Sequence, residues 1–449
     1  MWHRYGWGAM VEIDNRVGSP IDERPGDIAR SASRSRREWA AAIALGAMFL
    51  MVTKGPVYRI RFEAAPLAGD FIDDPWVQSA FVVIALVVGV LAWPGSQRLF
   101  EDRLIAIVFG AFLMIVVASS SWSVVTSRTV EQAGMLLLGT VAALLAGAYL
   151  RRIDVVVVLW VATQVGIAAS VFANARSWSL ALDHNGDLAG IYFNRNSLGP
   201  VAVLGGVASV TLAVACWQRT ETRVVSGVLG AVAALDVVVW WRTGSLTPVF
   251  AIVVVAIVLV LVVLFLPGPN AALRRRLGVV LSALSVLGIG VAVVAWSTVA
   301  DSLDRSTTFS GRTTIWDVVL DFVGERPIQG WGFMAVWRQP EIIEALDERN
   351  RVVFEAHSGY LEVLLGVGVI GFCGLLAVFG VALARSGTAL WRRRDVLAVY
   401  AFAMVLYAVA VNLGETYVGA NLLPWILMSA MAGQSVFGHD DREKEIGKS

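Results

Sequence analysis

A lone histidine stands where a long polar stretch gives way to an apolar one: Glu355-Ala356-His357-Ser358-Gly359-Tyr360-Leu361-Glu362. Histidine is the side chain whose ordinary titration falls near neutral pH, so His357 can take a proton from an acceptor hydroxyl. Taken alone, it reads first as an interfacial histidine. Arg312 opens an amphipathic stretch further upstream, and a guanidinium grips phosphate oxygens two at a time. Its plainer reading is a surface charge pairing with Asp317 or a lipid headgroup. Two more arginines stand between apolar runs. Arg195 lies in Gly190-Ile191-Tyr192-Phe193-Asn194-Arg195-Asn196-Ser197-Leu198-Gly199-Pro200, where Asn196 or Ser197 can cap the following helix. Arg242 lies in Trp240-Trp241-Arg242-Thr243-Gly244-Ser245-Leu246-Thr247-Pro248, an interface-like aromatic pair followed by a helix start. Asp236 is the clearest acid inside an apolar run and is expected to pair with Arg242.

The elements that must position these residues are membrane helices. Of 449 residues, 57% are hydrophobic and 16% charged, with a mean hydropathy of +0.69. A soluble domain carries about 25% charged residues, and this balance would leave it exposing too much apolar surface. The chain reads as an all-α polytopic membrane protein with about twelve transmembrane helices. Expected spans are 39–53, 77–94, 104–120, 133–150, 153–173, 198–217, 224–241, 247–266, 277–297, 359–384, 396–413 and 418–437. A net charge of +1 points to no nucleic acid. Cys216 and Cys373 lie in apolar runs, and four scattered histidines suggest no metal cluster.

Arginines cluster in every second connection, at Arg98, Arg103, Arg151, Arg152, Arg219, Arg223, Arg274 to Arg276, Arg385 and Arg392 to Arg394. The positive-inside rule therefore puts both termini in the cytoplasm. Residues 1–38 read as a cytoplasmic polar tail rather than a signal peptide, 39–297 as the first nine spans, 359–437 as the last three, and 438–449 as a second tail. Between them, 298–358 forms one large, partly helical extracytoplasmic loop. Within it Ile315, Trp316, Val319, Leu320 and Val323 recur at helical spacing, and Ser310 or Thr308 can cap the helix they define. Glu325-Arg326-Pro327 ends it. Gly330-Trp331-Gly332-Phe333 reads as a tight turn near the membrane surface, and a second helix runs through Glu341 to Asp347.

In this order, the segments resemble the O-antigen ligase and O-antigen polymerase family of bacterial membrane glycosyltransferases. Ser121-Trp122-Ser123, Gly190 to Gly199, Thr243-Gly244-Ser245-Leu246-Thr247, Gly311-Arg312 with Trp316, Pro327 with Gly330-Trp331-Gly332-Phe333, and His357-Ser358 with Tyr360-Leu361-Glu362 carry the likeness, which runs from about 80 to 435. The resemblance implies transfer of a glycan from a polyprenyl diphosphate carrier to a hydroxyl of a glycan or lipid-linked acceptor, at the outer face of the bacterial cytoplasmic membrane. It implies inversion, no nucleotide sugar, no cofactor and no metal ion. It makes His357 the base and Arg312 the diphosphate clamp, with Arg242 and Arg195 as further cations. Tyr360, Glu362, Trp316, Asn196 and Ser245 become supporting residues. One departure stands out: members often carry an arginine where this chain has Leu246. That leaves the second clamp open between Arg242 and Arg195, and favours a polymerase or a divergent ligase over a lipopolysaccharide core ligase.

Two other functions fit a multispan chain. A transporter or lipid-linked glycan flippase needs ionisable residues at mid-membrane, for which only Asp236 offers itself. A peptidoglycan-type polymerase working through an outer aspartate would draw on Asp301, Asp304 or Asp317. Any polyprenyl-linked reaction also predicts a groove open sideways to lipid. Leu204-Gly205-Gly206 and Gly366-Val367-Gly368 permit close helix packing around it.

Overall fold

The computed structural model describes residues 34–56, 74–178, 181–183, 186–217, 222–265, 312–349, 353–418 and 422–435. The helices are α1 (Arg36–Val52), α2 (Pro75–Leu91), α3 (Ser96–Glu101), α4 (Arg103–Ala118), α5 (Thr126–Tyr149), α6 (Arg152–Ala175), α7 (Arg195–Trp217), α8 (Arg223–Thr243), α9 (Thr247–Phe265), α10 (Arg312–Glu325), α11 (Pro340–Asp347), α12 (Gly359–Arg393), α13 (Val396–Val411) and α14 (Leu423–Ser435). The chain is an all-α polytopic membrane protein. Six described helices are long and apolar enough to cross a membrane, or up to seven if α2 and the segment bent 60° from it count as one; α13 and residues Phe250–Val260 are shorter apolar pieces. The span expected at 277–297, the caps Ser310 and Thr308, and Asp301 and Asp304 lie outside the described residues. Every other expected span holds a helix.

Local chemistry sets the helix starts. Ser35 and Glu38 form a reciprocal capping box on α1. Asp74 accepts from the amides of Trp76 and Val77 ahead of α2, with Pro75 at the first helical position. Asp395 caps α13 through the amide of Ala398 at 2.8 Å. Acids at other helix starts, and Asp395 itself, also serve tertiary pairing. Arg34 pairs with Asp154, Arg152 with Asp395 at 2.9 Å, and Arg385 with Asp102 at 2.7 Å, which ties together the ends of α1, α6, α12, α13 and α4 at one end of the bundle.

Tight seams hold the helices. A Cβ on Gly147 of α5 would lie 1.9 Å from the Ala430 carbonyl oxygen of α14, and one on Gly433 2.2 Å from that of Leu144. Backbones can approach this closely only where neither side chain intervenes. Gly205 and Gly206 of α7 face Gln164 and Asp236. Asp236 accepts from Gln164 Nε2 at 2.9 Å and Ser209 Oγ at 3.2 Å rather than pairing with Arg242, whose side chain is exposed. A helical register accounts for this: Asp236 points into the seam among α6, α7 and α8, while Arg242 ends α8 on its outer side.

Residues 312–349 form a small folded unit. Ile315, Val318, Val319 and Phe322 of α10 pack with Val336, Trp337, Ile342, Leu346, Ala356 and Leu365. The buried face is rotated from the expected one. Leu320 is half exposed, and Val318 and Phe322 are buried in its place, because Ile315, Val318, Val319 and Phe322 complete the i, i+3, i+4, i+7 stripe.

The turn at Gly330-Trp331-Gly332-Phe333 is docked against a break in α12. Gly368 adopts φ 65° and ψ −167°, so the helical ladder stops there. Freed groups find partners in the turn: Trp331 N–H donates to Leu365 O at 3.0 Å, Gly332 N–H to Gly366 O at 2.8 Å, and Val369 N–H to Pro327 O at 2.9 Å. From the other side, Val124 N–H donates to Trp331 O at 3.1 Å, Trp122 Nε1 to Gln329 O at 2.8 Å and Phe333 N–H to Ser119 Oγ at 3.2 Å. The Ser-Trp-Ser element and the Pro-to-Phe turn are thus one structural unit on the face opposite the arginine-rich end.

Candidate functional site

The site is assembled where α12 begins. His357 has φ 48°, a left-handed conformation uncommon outside glycine but one that histidine adopts more often than most residues. Next to it, Gly359 N–H donates to Asn412 O at 2.9 Å and Glu415 O at 3.1 Å. A Cβ on Gly359 would lie 2.0 Å from Asn412 Oδ1, so only glycine lets the α13–α14 connection come this close. The result sets His357 against Glu415. His357 Nδ1 lies 3.1 Å from Glu415 Oε2 and 3.4 Å from Glu355 Oε1. The other oxygen of Glu415 holds Arg312 Nη2. Glu415 is buried, so both contacts run through a medium of low dielectric.

Lys54 and Tyr417 complete the cluster. Burial lowers the Lys54 ammonium below the ordinary lysine value, opposed by the charge of Glu355. Burial raises Glu355, with Glu415 adding to the rise and His357, Lys54 and Arg312 opposing it. For His357, burial alone would lower the pKa. The hydrogen bond to Glu415 and the charges of Glu355 and Glu415 outweigh burial and Arg312, so it sits above the ordinary histidine value. Burial, with Tyr407, Glu415 and Glu355 nearby, holds the Tyr417 phenol well above its usual range.

The backbone beside His357 is clamped on both sides. Trp316 Nε1 donates to Ala356 O at 3.0 Å, and Ala356 N–H donates to Glu362 Oε2 at 2.8 Å. Glu362 Oε1 accepts from Trp337 Nε1 at 2.6 Å. Glu362 therefore braces residue 356 and does not touch the ring. Tyr360 is turned away: its hydroxyl donates to Val409 O at 2.9 Å, and its ring packs edge-on against Phe372 and Phe379. Glu362→Ala leaves two buried donors unpaired, each costing about 1–3 kcal/mol. We expect a marked fall in the melting temperature of the purified protein, with Glu362→Gln recovering part of the loss through its remaining carbonyl oxygen.

The two other arginines are placed differently. Arg195 pairs with Asp187 and, through Nε at 3.7 Å, with Asp183. Its segment is anchored by Tyr192, which is fully buried between Gly55 at the end of α1 and Gly166 of α6. Asn194, rather than Asn196 or Ser197, caps α7 by accepting from Ser197 N–H at 2.9 Å. Asn196 instead accepts from Ser245 Oγ at 3.1 Å, joining this segment to the α8–α9 turn. Leu188 N–H donates to the Arg242 carbonyl at 2.8 Å, so the backbone of 242 is held although its guanidinium is exposed. Thr247 closes the circuit: a Cβ on Gly414 would lie 3.6 Å from its Cγ2 and 3.4 Å from Arg312 Nη1.

Glu415, Lys54 and Tyr417 were absent from the residues expected from the motifs. Faint signals exist for the first two. Glu415 is an acid in the short polar break between two apolar runs, and Lys54 is a cation directly after the first apolar run. Donor atoms of Glu355, His357 and Glu415 lie within 4.8 Å of one another, a spacing a metal ion can use. Here Glu415 is engaged by Arg312 and His357, and Lys54 stands beside Glu355. An ion would have to compete with charges already matched within the chain.

What the fold and these clusters define is a membrane-embedded protein with a partly buried cluster of carboxylates, cations and a histidine at one end of its helices. Residues 207–376 match the family described as O-antigen ligase, which supports assigning the chain to the O-antigen ligase/polymerase family. The family indicates O-antigen-ligase-like assembly of cell-surface polysaccharide by a glycosyltransferase-like enzyme. The matched stretch contains Arg242, Arg312 and His357 but neither Arg195, Lys54 nor Glu415. No curated protein matches the chain.

Proposed function

We propose that this protein transfers a glycan from a polyprenyl diphosphate to an acceptor hydroxyl at the outer face of the bacterial cytoplasmic membrane, with both termini inside and residues 298–358 outside. The acceptor oxygen attacks the anomeric carbon from the face opposite the diphosphate, the carbon–oxygen bond to the diphosphate breaks, and configuration inverts. His357 Nε2 takes the hydroxyl proton. The leaving diphosphate gathers negative charge, which Arg312 meets directly in a site of low dielectric. Lys54 adds a second, partly buried cation where this chain lacks an arginine at 246. Arg195 joins only by leaving Asp187, and Arg242 from the exposed end of α8. With these cations on the chain itself, the reaction as proposed needs no metal ion. The polyprenyl tail stays in the bilayer and reaches the site through a lateral groove.

The single observation that carries this reading is the meeting of a histidine and an arginine on one buried carboxylate, with the histidine's second nitrogen left for a proton. The test is glycan transfer in membranes containing equal amounts of wild-type, Arg312→Ala, Lys54→Ala and Arg242→Ala protein. We expect Arg312→Ala to raise the donor KM and lower turnover, together costing about 100-fold or more in kcat/KM. Lys54→Ala has a smaller effect of the same kind, and Arg242→Ala the smallest. Unchanged kinetics in the Arg312 variant would remove the clamp.

A further inference from the structure

We infer that Glu415, in the connection between α13 and α14, is the positioning residue that makes His357 a base and couples it to arrival of the donor. The inference rests on the transfer reaction proposed above. It begins from a division of labour on one carboxylate: Oε2 lies 3.1 Å from His357 Nδ1, and Oε1 holds Arg312. An anion at Nδ1 keeps the proton there, so the lone pair is on Nε2, the nitrogen that must receive the acceptor's proton. The backbone enforces the same geometry, since Gly359 N–H donates to the carbonyls of both Asn412 and Glu415. Glu415 lies beyond the residues that match the family.

The second contact supplies the coupling. With no donor bound, Arg312 and His357 share the charge of Glu415. A diphosphate draws the guanidinium of Arg312 to itself, and the carboxylate is then left to the histidine. The acceptor O–H proton moves to Nε2, the Nδ1 proton stays directed at Oε2, and the resulting imidazolium lies beside a full negative charge. Base strength therefore rises when the leaving group is in place.

The charged and titratable groups around His357 are Glu355 on its own segment, Glu362 on α12, Arg312 on α10, and Glu415 and Tyr417 from the α13–α14 connection; Lys54 at the end of α1 acts through Glu355. The base works only when neutral, so transfer falls as pH drops through the His357 pKa. Glu415 is one of the groups holding that pKa above the ordinary histidine value. Its removal moves the acidic limb of the rate profile to lower pH.

The experiment measures kcat and donor KM against pH for the full-length protein in membranes, using lipid-linked glycan as donor, for wild type, Glu415→Gln, Arg312→Ala and His357→Asn. We expect Glu415→Gln to lower kcat on the order of 10- to 100-fold, the range typical of losing a group that orients a functional histidine. Its acidic limb shifts to lower pH, and its donor KM stays level or falls because Arg312 is released. Arg312→Ala shows the opposite split, with KM raised. If Glu415→Gln does not accumulate, Glu415→Asp carries the same measurement, because its shorter carboxylate withdraws from Nδ1. An acidic limb that does not move, or a KM that rises as in Arg312→Ala, overturns the inference while leaving the transfer reading intact. Full activity in His357→Asn overturns the transfer reading itself.

Discussion

Replacing His357 by asparagine is expected to lower the proposed glycan transfer by a factor of about 10² to 10⁴, while the protein still accumulates in the membrane. Asparagine is the informative choice for two reasons. His357 has a left-handed backbone at φ 48°, which asparagine adopts more readily than most residues. Its amide can also donate to Glu415 in place of Nδ1–H, so the buried carboxylate keeps a partner. What asparagine cannot do is accept a proton. A loss of transfer with normal accumulation and normal donor binding then isolates the acid–base function from the architecture. Retention of transfer would assign His357 to the interface and bring forward a reading in which an aspartate, such as Asp317, serves as base.

The second large effect concerns the break in α12. Gly368→Ala is expected to prevent correct assembly of the 312–349 unit. At φ 65° and ψ −167° the residue lies in a region open essentially only to glycine, with a strain cost on the order of 1–3 kcal/mol. An added Cβ would also stand 2.1 Å from Ile328 O. That atom is backbone, held in the turn whose neighbours bond to Leu365, Gly366 and Val369, so it has no rotamer by which to retreat. Either α12 straightens and orphans the turn's hydrogen bonds, or the turn lifts and carries away the base of the 312–349 unit. The check is the melting temperature of purified protein, with Gly380→Ala as comparison. Gly380 lies on the same helix with nothing within 4 Å of an added Cβ. Its substitution should be neutral or slightly stabilising. Equal melting temperatures for the two variants would show that the break is dispensable.

Much of the candidate site was legible because its members act through short stretches of chain. His357, Trp316 and Glu362 lie in or beside motifs whose spacing survives folding, and all three converge on residues 356 and 357. Tyr360 shares the motif but faces Val409 and two phenylalanines, since one helical turn carries neighbouring side chains to different faces. Arg195 was legible as a cation and illegible as a paired one: its Asp187 partner is eight residues away across an irregular loop. Glu415 is 58 residues from His357 and 103 from Arg312. No local pattern relates them.

The sequence by itself determined where apolar chain becomes helix, where Asp, Ser and Pro start those helices, and where glycine permits a break or a close seam. Each of these depends on contiguous residues: hydropathy sums along a stretch, caps act within a turn, and backbone freedom belongs to single positions. Only the tertiary structure decided which connections meet at one end, and with that the state of every functional charge. Charges drawn out of water must find partners in space, and those of Arg312, His357, Glu355 and Lys54 come from three connections and the first residue of α10. Lys54 is brought there by the end of α1, Glu415 by the turn after α13, and the missing side chain of Gly359 leaves room for that turn to close on the histidine. Charge pairing is a property of distance through the fold, and distance along the chain does not encode it.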